Sequence, residues 1–248
     1  MKAKLFTISF MFLVSSFLVS NSAHAQGWSG QGEAGFVSAS GNTDSENLNI
    51  GLKFTNAGPV WTHDLAFFAY TSSADGVDTA ESYSVDYTAK RALSERSFIF
   101  GTLGFLDDDF DGFTEQLNVG VGYGYKIIDT EPVGWETGIG IGYRDTQQLI
   151  VLDDGTEIEG EDVSSATLIL RSDYRNQLTA NTQFLDVFQA DIGADNTFIQ
   201  NEAAIVVAMN ESFSLKAGFI IRHNTDPPAG ADDTDTITSL NLVYDFGG

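Results

Sequence analysis

Large apolar side chains recur at every second position along most of the chain. From Leu117 to Tyr125 the large residues Leu117, Val119, Val121, Tyr123 and Tyr125 alternate with Asn118, Gly120, Gly122 and Gly124. From Trp135 to Arg144, Ile139, Ile141 and Tyr143 alternate with Glu136, Gly138, Gly140, Gly142 and Arg144. Asn47 to Thr55 repeats the scheme, with Leu48, Ile50, Leu52 and Phe54 set against Asn49, Gly51 and Lys53. A period of two sends successive side chains to opposite faces of a strand. A soluble sandwich strand also alternates, but its outer face usually carries charge. Here the small face is rich in glycine and the apolar face ends in aromatics, as the headgroup girdles of a membrane barrel require.

Extended along the chain, the pattern predicts about twelve strands, at roughly 28–40, 45–57, 60–72, 81–90, 96–107, 114–127, 134–146, 162–175, 180–191, 197–209, 212–224 and 235–246. An even number is what single-chain bacterial barrels use. Ten or fourteen strands also fit, because the segments near 60–72 and 180–191 alternate poorly.

The connections fall into two alternating classes. Short ones lie at Ala57-Gly58-Pro59, Ala92 to Glu95, Thr130 to Val133, Asn176 to Thr179 and Asn210-Glu211. The others are often longer and nearly all acidic, and contain Asp75 and Asp78, Asp107 to Asp111, Asp153 to Asp162, Asp191 and Asp195, and Asp226 to Asp235. Short periplasmic turns and longer extracellular loops are the habit of outer-membrane barrels. With both termini periplasmic, the parity assigns every acidic loop to the outside.

The first residues add the route. Lys2 and Lys4 precede an apolar run from Leu5 to Val19, followed by Ala23-His24-Ala25 before Gln26. That is the layout of a secretory signal, and the run is shorter than a spanning helix needs. The expectation is a signal peptide over 1–25, cleaved after Ala25, and one barrel domain over 26–248. The fold class is thus all-β, a transmembrane antiparallel up-and-down barrel in the bacterial outer membrane, reached through the periplasm. Cysteine is absent, so no disulfide supports the fold.

The formal net charge of −23 excludes nucleic acid as a partner, since phosphate recognition needs clustered Lys and Arg. The expected partners are outer-membrane lipid, lipopolysaccharide and, during biogenesis, the barrel assembly machinery, with the protein a monomer. The last strand, Leu240 to Phe246, alternates to a near-terminal aromatic as the assembly signal does, although Gly247 and Gly248 follow it.

The residues also resemble a family, the YdiY-like, salt-induced outer-membrane proteins of domain of unknown function 481. The likeness rests on Ser38-Ala39-Ser40-Gly41-Asn42-Thr43, Asp109-Phe110-Asp111-Gly112 ahead of Gly122-Tyr123-Gly124-Tyr125, Glu136 to Tyr143, Asn224-Thr225-Asp226-Pro227-Pro228, and Asp235-Thr236 with Leu242 to Phe246. It implies an outer-membrane location and an association with salt stress, and it implies no substrate or catalytic residue.

Three constellations could carry chemistry. Asp107-Asp108-Asp109-Phe110-Asp111-Gly112 matches the opening of a calcium loop, so Asp107, Asp109 and Asp111 are candidate ligands for weakly bound Ca2+ or Mg2+. The twelfth position is Asn118 instead of Glu and the flanks read as strands, which leaves a solvated hairpin tip as the plainer account. Leu149 to Leu152 with the acids from Asp153 to Asp162 reads as a hairpin carried past the membrane and turned at Asp154-Gly155, where divalent ions could bridge loop carboxylates to lipopolysaccharide phosphates. The lumen face is expected to carry Lys53, Asn118, Glu136, Arg144, Arg171, Asp173, Arg175, Glu202, Lys216 and Arg222. These charges either pair into a plug, leaving a structural stress-response barrel, or line a passive pore for small solutes or cations widened by the glycines of strands six and seven. No cofactor is expected. Catalysis has little to work with, since His63 and His223 fall toward opposite ends of the barrel and no enzyme activity is expected.

Overall fold

The computed structural model describes residues 27–39, 45–75, 77–108, 113–151, 157–194, 196–227 and 233–247. Twelve strands hold nearly all of them: β1 Trp28–Ala39, β2 Ser45–Ala57, β3 Trp61–Ala74, β4 Val77–Ala92, β5 Ser97–Asp108, β6 Phe113–Asp129, β7 Val133–Val151, β8 Glu157–Thr179, β9 Thr182–Ile192, β10 Thr197–Ala208, β11 Phe213–Asn224 and β12 Thr234–Gly247. Each pairs antiparallel with its sequence neighbours, and β1 pairs with β12 to close the ring. Closure leaves no free edge, the condition for strands to cross hydrocarbon. Among the described residues no helix is long and apolar enough to cross a membrane.

The strand alternation becomes an inside and an outside. Val121, Ile141, Ile139, Leu103, Leu240 and Leu242 are all about half exposed or more, although they are among the most apolar residues present. On a soluble protein so continuous an apolar surface would be an aggregation site, whereas here it is a belt facing lipid. Trp28, Trp61, Tyr125 and Tyr244 border it near the end of the barrel that holds the start of β1 and the finish of β12, called here the terminal end. Phe36, Tyr83 and Tyr143 border it at the opposite loop end.

Burial runs the other way for polar groups. Gln116, Asn224 and Asn241 are each 1% exposed, and Arg144, Arg222, Asp108 and Asp191 are also buried, all on the inward faces. The core of the molecule is therefore its polar lumen.

β4, β7 and β8 run clearly longer than expected. β7 and β8 remain paired out to Val151 and Glu157, as the expected hairpin extension requires, while its turn at Asp154-Gly155 lies outside the described residues. A register shift at Gln147/Leu149 in the β7–β8 pair and one at Gln177/Thr179 in the β8–β9 pair lie toward opposite ends of β8, the usual place for bulges. The segment expected to be a signal peptide likewise lies outside the described residues.

Candidate functional site: a lumen tied across its diameter

Of the 12 Lys and Arg in the chain, ten follow residue 26. Register and alternation put eight of these on inward faces: Lys53, Lys90, Lys126, Arg144, Arg171, Arg175, Lys216 and Arg222. Arg91 points outward and Arg96 lies in a turn. The inward acids include Glu33, Asp108, Glu136, Asp173 and Glu202. Arg144, Arg222 and Asp108 are buried, and an unpaired buried charge costs several kcal/mol, about 3–5 when one partner is removed. Pairing therefore dominates the lumen's structure.

The loop end shows this most completely. Arg222 on β11 donates through Nη1 to Asp108 Oδ2 on β5 at 2.9 Å and to Ser82 Oγ on β4 at 3.3 Å, and through Nε to Gln200 Oε1 on β10 at 3.1 Å. β5 and β11 stand six strands apart in a ring of twelve, so this ion pair joins opposite walls. At the same end Arg144 on β7 donates to Gln116 Oε1 on β6 at 2.5 Å and lies 5.0 Å over the ring of Phe198 on β10. Side chains from both walls meet there.

A middle layer follows. Arg171 on β8 donates to Gln189 Oε1 at 3.0 Å and reaches Thr88 Oγ1 on β4 at 3.4 Å, and Gln189 passes the chain on to Asp191 at 2.8 Å. Beside Arg171, Asp86, Asn118 and Gln189 border a space of about 30 Å3, enough for a water or two. On the other side of the lumen Lys216 bridges Glu202 at 2.8 Å and Glu33 at 3.2 Å, next to the buried Asn49–Asn241 hydrogen bond of 2.9 Å.

Toward the terminal end Lys90 pairs with Glu136 across two intervening strands and lies 5.4 Å over Phe98. Lys53 and Arg175, by contrast, are exposed. Asp173, between Arg171 and Arg175 on β8, is half-buried opposite Glu136.

The glycines of β6 and β7 make this layering possible. A Cβ at Gly124 would sit 2.2 Å from Phe98, one at Gly122 2.3 Å from Phe100, and one at Gly120 2.2 Å from Ile169. The room that these glycines were expected to open as a channel is filled by Ile169 and by Phe98 and Phe100, over whose rings Lys90 and Arg171 then lie. β5 hides this from the sequence, because its inward face carries two phenylalanines that read as lipid-facing.

The other candidates are placed differently. Asp107 lies on the outward face of β5, while Asp109 and Asp111 lie outside the described residues. Asp108, between them, is the acid with a lumen partner. Among the described residues no group of three or more His, Asp or Glu converges as a metal shell. His63 bonds Tyr87 at 2.8 Å near the terminal end and His223 bonds Thr234 at 2.9 Å near the loop end, so the structure brings them to no common site. Sequence parity could not single out Asp108, Ser82, Gln116 or Gln189, whose importance comes from what they meet across the ring.

Comparison with known proteins agrees with this architecture. A family model described as "Protein of unknown function, DUF481" matches residues 32–246. The Escherichia coli (strain K12) protein described as "Uncharacterized protein YdiY" is 28% identical over 212 residues, spanning 85% of this chain and 80% of its own. The translocator domain of the autotransporter NalP from Neisseria meningitidis superposes with a TM-score of 0.50 at 11% identity, covering 99% of this chain and 96% of that one. An outer-membrane channel from Pseudomonas putida F1 gives a TM-score of 0.48 at 10% identity, covering 92% and 98%. At such identities the structural likeness is one of fold.

Proposed function

Since the chain belongs to the DUF481 family of proteins of unknown function, whose model spans its barrel from residue 32 to 246, we propose that it is an outer-membrane barrel that stands closed and serves the envelope structurally. Its terminal end faces the periplasm and its loop end the outside. The observation that carries this reading is the Arg222–Asp108 pair, which ties β11 to β5 across the full width of the lumen. A solute would have to break a buried, multiply bonded ion pair to pass.

The distribution of charge supports an outer-surface role. Asp75, Glu115, Asp145, Glu161, Asp162 and Asp226 are exposed near the loop end, while most cations are enclosed. The exposed acids of the loop end thus weight the negative charge toward the exterior, where acidic loops would gather divalent cations shared with lipopolysaccharide phosphates, in keeping with the salt-stress association that the resemblance implies. Planar-bilayer recording tests the closed lumen. The native barrel is expected to be silent, and steady, discrete conductance steps would overturn the proposal. For the envelope role, deletion of the protein is expected to weaken membrane integrity under salt or divalent-cation stress.

A passive pore is the second reading, favoured by one observation: Lys53 and Arg175 stay exposed toward the terminal end, which leaves that half of the lumen open to solvent. It predicts conductance in the native protein that changes when Arg144 or Arg171 is replaced by Ala.

A further inference from the structure

The outward face is nearly free of positive charge, and the exception lies in an unusual setting. Arg91, near the terminal end of β4, is the only Lys or Arg on the outward strand faces among the described residues. Its guanidinium lies 6.0 Å over the indole of Trp61, directly opposite on β3. Trp61 stacks on His63 at 5.9 Å with 9° between the planes, and His63 stacks on Tyr87 at 6.1 Å with 11°. His63 Nδ1 and the Tyr87 hydroxyl share a 2.8 Å hydrogen bond that fixes both rings. Below this column the outward faces of the two strands continue as Leu65, Phe67 and Val85, and Ala89 is the small residue across from His63. Arg96 lies in the turn that follows β4, beside Glu95.

We propose that this face is a binding site for one anionic glycerophospholipid of the periplasmic leaflet. Arg91 takes the phosphodiester, the rigid Trp61–His63–Tyr87 wall seats the glycerol backbone at the level of the headgroups, and an acyl chain lies along Leu65, Phe67 and Val85. Guanidinium matches phosphate geometry, and Trp and Tyr hold the interface because one end of each is apolar and the other polar. Arg91 and Arg96 outweigh Glu95, which sets the preference for an anionic headgroup. The inference rests on the outer-membrane reading with the termini in the periplasm, and it is independent of whether the lumen conducts.

The test uses Trp61 as the reporter, in the Trp28→Phe/Trp135→Phe background, reconstituted in phosphatidylcholine bilayers containing increasing fractions of phosphatidylglycerol brominated on its acyl chains. Trp61 is expected to be quenched at a several-fold lower fraction of brominated phosphatidylglycerol than of brominated phosphatidylcholine. Arg91→Gln is expected to abolish that preference, and Arg91→Lys to keep part of it. Should the reporter background fail to fold, native mass spectrometry of the unaltered chain and of Arg91→Gln, released from mixed micelles, reads the same preference as retained lipid. Equal quenching by the two lipids, an unchanged preference in Arg91→Gln, or displacement by inorganic phosphate would each overturn the site. Failure of the folded chain to insert into any bilayer would instead overturn the membrane reading itself, so the two failures are distinguishable.

Discussion

The two halves of the lumen treat the same kind of residue in opposite ways. Near the loop end Arg222 is 5% exposed, held by Asp108, Ser82 and Gln200 from three other strands. Toward the terminal end Lys53 and Arg175 are also inward on their strands, yet exposed. Neither sequence neighbourhood nor charge accounts for the difference. What differs is the packing: side chains from opposite walls meet at one end, whereas at the other Phe98 and Phe100 pack against the glycines of β6 and β7 and no partner from the far wall covers Lys53 or Arg175 among the described contacts. An inward charge in this barrel is structural where it bridges walls and spare where it does not.

That contrast can be broken first at the tie. Arg222→Ala leaves Asp108 buried without its cation and is expected to lose about 3–5 kcal/mol of folding stability, read from urea unfolding in detergent micelles. Replacing both partners, Arg222→Met with Asp108→Leu, is expected to recover most of that loss, and a double-mutant cycle measures how much. If the single substitution costs no more than a surface change, the walls are not joined by this pair. Next comes the glycine face, where a Cβ at Gly140 would stand 2.5 Å from the Val121 carbonyl oxygen. Because backbone cannot rotate away, Gly140→Ala is expected to cost about 1–3 kcal/mol, seen as a lower unfolding midpoint. Smallest of all, Lys53→Ala and Arg175→Ala are expected to stay within about 0.5 kcal/mol of the native barrel. A loss comparable to that of Arg222→Ala in either would erase the distinction between the two ends.

The strands were legible because glycine and aliphatic residues stand at the extremes of size and polarity, so β2, β6 and β7 announce their faces. β3 and β9 were the weak ones, and the structure gives the reason. On β3 His63 faces outward and Phe68 inward, and on β9 Asp186 faces outward while Leu185 and Val187 face inward, so polarity no longer marks the face. Asp186 is accommodated near the terminal girdle by accepting a 3.2 Å hydrogen bond from Asn201. The lumen was legible as a list of inward residues but not as contacts. Parity fixes the face on which a side chain stands, and nothing in it says which residue waits on the far wall. Arg222 and Asp108 are 114 positions apart, and only closure of the ring brings them together. The expectation of Asp109 and Asp111 as cation ligands falls on residues outside the described part of the chain.

The pair between β5 and β11 has a mechanical meaning as well. A hollow cylinder under sideways load yields first by flattening into an ellipse, with one diameter shortening while the perpendicular one grows. A strut fixed along one diameter resists growth in that direction, and so stiffens the cross-section against squeezing from the flanks. The wall gains rigidity from two side chains, without a thicker shell or a covalent link.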